Sequence, residues 1–93
     1  MKLYTLLKDR ASINILKILY DNEVSGGKYS MNLSELKAKM PVDEDGGTLA
    51  NLELAEMIAQ EMNGGGEVVL SITAKGKDFV DLFDSLIAVF EGR

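Results

Sequence analysis

Ninety-three residues with 46% hydrophobic and 27% charged side chains describe one ordinary globular domain, since each separate core needs on the order of 100 residues. The chain has no cysteine and no histidine, which excludes disulfides, zinc fingers, thiol nucleophiles and histidine general bases. Net charge is −5, and residues 24–62 hold seven acidic against three basic side chains, so a basic nucleic-acid-binding face is not written into the composition.

The elements follow in chain order. Leu3, Leu6 and Leu7 open a short apolar helical turn that Asp9 to Ser12 can interrupt. Ser12 is a plausible cap for the first main helix, where Ile13, Leu16, Leu19 and Tyr20 fall at helical spacing. That helix is expected to stop near Asn22, before the turn Ser25-Gly26-Gly27. Tyr29 to Met31 can form a brief strand. Asn32 with Glu35 three positions on has the form of a capping box, and Leu33, Leu36 and Met40 then share one face of a second helix that Pro41 ends.

Val42 to Gly47 reads as an acidic, glycine-containing loop, and Thr48 as the cap of a third helix carrying Leu49, Leu52, Leu54 and Ala55. Met57, Ile58 and Met62 look like an outgoing strand. Asn63-Gly64-Gly65-Gly66 supplies the residues a tight hairpin needs, and Val68, Leu70 and Ile72 alternate as the returning strand. Thr73 can cap a last helix over about residues 74–91. The fold class expected is α+β, mainly α, in a single domain spanning 1–93. Its order is helix, strand, helix, helix, strand, strand, helix.

This order resembles the winged helix-turn-helix superfamily, especially small archaeal and bacterial transcription regulators similar to the MarR and ArsR groups. Ile72-Thr73-Ala74-Lys75-Gly76 matches the Leu-Thr-x-Lys-Gly that closes the wing and starts the last helix in many of them. Leu52 to Ile58 is similar to their Leu-x-x-x-Gly-Leu-Ile helix end, with Glu56 in place of the glycine. Either Glu56 sits strained in that turn or the third helix ends differently here.

The resemblance implies a wing at about 57–72 and a third helix that enters the DNA major groove. The exposed polar candidates of that helix are Thr48, Asn51, Glu53, Glu56 and Gln60; Asn51 suits adenine and Thr48 a phosphate. At the wing tip, Asn63, Gly64 and Gly65 carry no positive charge, but their bare amides can approach a phosphate. Lys28, Lys37, Lys39, Lys75 and Lys77 are the candidate phosphate contacts, and equally suit a solubilised surface. The acidic residues Asp43, Glu44, Asp45, Glu53 and Glu56 oppose DNA and suit a solvated face.

The last helix is apolar around most of its circumference. Phe79, Leu82, Phe83, Leu86 and Phe90 are the expected homodimer interface, unless the N-terminal turn at Leu3 and Leu6 covers them.

The function implied is a DNA-binding transcription regulator acting as a winged-helix homodimer. The alternative is a winged helix that has lost DNA binding and uses its acidic third helix to meet a basic protein. No enzyme, cofactor or metal is expected. Gly27-Lys28 and Gly76-Lys77 lack the rest of a phosphate loop, Asp43 and Asp45 lack calcium-hand spacing, and Ser71 with Lys75 has no supporting third group. The longest apolar region, residues 79–90, is interrupted by Asp81 and Asp84, so a cytoplasmic protein with no membrane partner is expected.

Overall fold

The computed structural model describes residues 3–25, 30–42 and 47–92, and they form a mainly helical α+β arrangement with a small antiparallel sheet. The elements are α1 (Leu3–Lys8), α2 (Arg10–Val24), β1 (Met31–Asn32), α3 (Leu33–Lys39), α4 (Gly47–Leu54), β2 (Ile58–Met62), β3 (Val68–Ile72) and α5 (Ala74–Phe90). None of the described helices is long and apolar enough to cross a membrane.

α2 begins two residues before the expected Ser12. Asp9 is its cap: the carboxylate accepts from the Ser12 amide at 3.3 Å and from the Ser12 hydroxyl at 2.7 Å. Ser12 is thereby fully buried, which its bonded hydroxyl tolerates. α2 places Ile15, Leu16 and Leu19 in the core.

β1 overlaps its expected place only at Met31 and ends one residue later, at Asn32; Ser30 lies before it and Tyr29 outside the described residues. Asn32 ends β1 and caps α3. Its side chain accepts from the Glu35 amide at 2.9 Å while the Glu35 carboxylate accepts from the Asn32 amide, the reciprocal pair of a capping box. The Met40 backbone is extended ahead of Pro41, and α3 stops there.

The sheet order is β1-β3-β2. Met31 lies opposite Leu70, and Ile58, Gln60 and Met62 lie opposite Ile72, Leu70 and Val68. Strand alternation turns Leu70 and Ile72 inward, where they meet α2 residues with Leu36, Leu49 and Leu52 from the following helices. Leu36, Leu52 and Leu70 have no exposed surface, and truncating any one to alanine costs about 2–5 kcal/mol.

A three-residue loop closes the β2–β3 hairpin. Asn63 and Glu67 face each other through a 2.9 Å backbone bond, and Gly66 takes the left-handed φ of 81° that the loop requires. The Asn63 side chain accepts from the Gly65 and Glu67 amides at 2.9 and 3.0 Å. Thr73 caps α5, as expected, accepting from the Gly76 amide at 3.0 Å.

α2 and α5 run antiparallel. Three polar contacts mark their seam: Lys17 to Asp84 at 3.1 Å, Tyr20 to Asp81 at 2.9 Å and Lys77 to Glu23 at 2.6 Å. Spacings of three or four residues on both helices put all three contacts on one seam.

Candidate functional site

The surface under test is built by α4, the turn that follows it, the β2–β3 hairpin and the first turn of α5. α4 is anchored by Thr48, Leu49 and Leu52, all buried, and turns Ala50, Asn51, Glu53 and Leu54 outward. Thr48 was expected to precede this helix. It lies inside it at 9% exposure, because α4 starts by Gly47 and its phase directs position 48 to the core. The phosphate contact expected of Thr48 does not fit this placement, since the residue as a whole has little surface to offer.

The end of α4 answers the question left by the missing glycine. Glu56 has φ of +64°, the one left-handed non-glycine among the described residues. The Glu56 amide donates to the Glu53 carbonyl at 2.9 Å and the Met57 amide to the Leu52 carbonyl at 3.0 Å, the paired bonds of a Schellman ending. Buried Met57 and Leu52 supply the apolar contact that accompanies it. The geometry is that of a glycine-ended helix, executed with glutamate.

α5 reinforces this turn. The Thr73 hydroxyl donates to the Glu56 carbonyl at 2.6 Å, and the Thr73 amide to the Met57 carbonyl at 3.0 Å. Gly76 lies so close that a Cβ there would collide with the Met57 carbonyl oxygen and come within 2.7 Å of Ile72 Cγ1. The Thr-x-x-Gly spacing is thus a packing requirement: threonine caps and ties, and glycine lets the helix approach the strand backbone.

At the hairpin tip, Asn63, Gly64 and Gly65 are exposed. The Gly65 amide is taken by the Asn63 side chain and the Gly66 amide by the Asn63 carbonyl, so only part of the expected row of glycine amides points outward uncommitted.

The lysines do not converge. Lys37 lines one concavity with Gly66, Glu67 and Val68, beside the hairpin. Lys39 lies instead with Ile18, Asp21 and Met31, toward α2. Lys75 shares a concavity with Glu53, Glu56, Gln60 and Glu61 at the end of α4. Lys77 is half-buried and paired with Glu23. Lys28 lies outside the described residues, as do Asp43, Glu44 and Asp45. Gln60 belongs to β2, not to α4, and its amide donates to Glu53 at 3.4 Å.

On α5, Leu82, Leu86 and Phe90 are 71%, 58% and 90% exposed and fall four residues apart on one stripe. Val89, which the expected interface omits, adds to this uncovered surface at 74%. Phe79 packs against the core and stacks on Phe83 at 6.1 Å, and the Lys17 ammonium lies over the Phe83 ring at 5.4 Å. Leu6 is buried in the core and leaves the Leu82–Phe90 stripe open.

Among the described residues no cluster of acidic side chains is arranged to hold a metal ion. No family model, no curated protein and no solved structure matches this chain.

Proposed function

We propose that the chain is a winged-helix regulator of transcription that binds duplex DNA as a homodimer. α4 is the helix presented to the major groove, the β2–β3 hairpin is the wing and the outer stripe of α5 joins the subunits. The observation that carries this reading is the packing of α4, with Asn51 on its exposed face, beside strand β2 of a hairpin whose glycine tip is exposed. Asn51 offers the paired donor and acceptor that adenine needs. Lys37, beside the hairpin, and Lys75, beside the end of α4, serve as phosphate contacts, while Lys39 and Lys77 are directed elsewhere. Occlusion of a promoter is the mechanism.

The test is fluorescence anisotropy of random genomic duplexes against salt. Two lysines per subunit make four phosphate contacts per dimer, so log K falls against log salt with a slope of about −3 to −4. Lys37→Glu with Lys75→Glu abolishes binding. No anisotropy change at micromolar protein and low salt overturns the reading.

A second reading has its own support. Glu53, Glu56 and Glu61 line a single concavity in which Lys75 is the sole cation. This surface repels phosphates and suits a basic protein partner. A stoichiometric protein captured without DNA, and lost in Glu53→Lys/Glu56→Lys, selects it.

A further inference from the structure

The parity of the hairpin ladder leaves one strand edge open. The Thr73 amide donates to the Met57 carbonyl and the Asn63 amide to the Glu67 carbonyl, so the directly bonded pairs are Met57–Thr73 and Asn63–Glu67. Between them the antiparallel pattern alternates residue by residue. Ala59 and Glu61 therefore bond β3, whereas the amides and carbonyls of Ile58, Gln60 and Met62 point away from it. β2 is the outer strand of the sheet, and no backbone partner lies on its far side among the described residues.

What flanks this edge defines its occupant. Glu53 and Glu56 at the end of α4, and Glu61 on the strand itself, share the concavity beside β2, with Lys75 the single opposing charge. Met62, 70% exposed, adds apolar surface at the outer end of the edge. Two copies pairing β2 to β2 would set these carboxylates against their own images. A phosphate at the β2 edge would meet the same three carboxylates, with Lys75 alone in its favour.

We propose that the open edge of β2 accepts an extended, lysine- or arginine-rich segment of a partner protein as a fourth strand. Main-chain bonds to Ile58, Gln60 and Met62 hold it, and Glu53, Glu56 and Glu61 select its charge. The proposal rests on the second functional reading and specifies its geometry; the α5 stripe and the Asn51 face take no part in it.

The test uses the full chain and two end-blocked heptapeptides: one of alternating lysine and valine, and one with the same lysines but proline for each valine, which cannot complete a strand. Binding is read by amide NMR. The valine peptide is expected to bind about tenfold more tightly than the proline peptide and to slow amide exchange at Ile58, Gln60 and Met62 but not at Ala59 or Glu61. Gln60→Pro removes an outward amide without touching the ladder, a substitution that edge strands accept. It is expected to lose the valine peptide's advantage while retaining the native spectrum elsewhere. Glu53→Lys/Glu56→Lys weakens both peptides. Equal binding of the two peptides, undisturbed by Gln60→Pro, overturns the strand-addition geometry and leaves acidic docking standing. Binding of neither overturns both.

Discussion

The Thr73 hydroxyl and the Glu56 carbonyl are joined by a 2.6 Å hydrogen bond that ties the cap of α5 to the left-handed residue ending α4. A β-carbon in that conformation costs about 1–2 kcal/mol. Glu56→Gly is therefore expected to stabilise the protein by about 1 kcal/mol, whereas Glu56→Ala keeps the β-carbon and gains nothing. Thr73→Ala loses both the cap and the tie and is expected to cost about 1–2 kcal/mol. Urea titration of the three variants checks the set.

Gly76→Ala is predicted to be the more damaging change. The added methyl meets backbone at Met57, which has no rotamer to yield, so α5 must move off the strand. A loss of at least about 2 kcal/mol is expected. A thermal midpoint within a degree or two of the parent contradicts this packing.

The proposed dimer turns on Leu82 and Leu86. Both are exposed, so Leu82→Glu/Leu86→Glu is expected to leave the circular dichroism spectrum intact while halving the mass found by sedimentation equilibrium. A parent protein that already sediments as a monomer at high micromolar concentration sinks the interface.

Gly64 has open space where a side chain would go, and no left-handed φ is required there. Gly64→Lys is expected to fold normally and to steepen the salt dependence of the proposed DNA binding by about 0.9 per subunit. The same change at Gly66, with φ of 81°, strains the loop and is expected to lower stability by about 1 kcal/mol.

Tyr20 carries a pH signature. Its hydrogen bond to Asp81, then burial, then the Asp81 charge raise its pKa above the ordinary 10.0. The bond's contribution is complete below pH 10 and is lost as pH rises through the higher native value. Ultraviolet titration is expected to show Tyr20 ionising late, and Asp81→Asn to bring it down toward the ordinary value.

Local rules served well where the determinants lie within a few residues. The Asn32–Glu35 box, the glycine hairpin and the Thr73 cap are each written in three to five consecutive positions, and each is found. The cap of α2 was less legible because Asp9 and Ser12 are both good caps. The choice fell on Asp9, whose carboxylate reaches the Ser12 amide and hydroxyl together. β1 is two residues long and exists through its pairing with Val69 and Leu70, a contact that no local pattern announces. The ending of α4 was legible only as a choice, because glutamate stands at the glycine position of the motif; of the two alternatives the left-handed Glu56 is the one found. The lysines were least legible of all: Lys77 meets Glu23 across 54 positions, and no spacing rule connects them.

Clamping the hairpin at its root by Thr73 and Gly76 relieves its far end of any duty in holding the domain together. The polypeptide between Gly64 and Gly65 should accept a spliced-in tag, or a nick by protease, with the two halves staying associated. Reporter groups can accordingly be grafted at that point without redesigning what lies beneath.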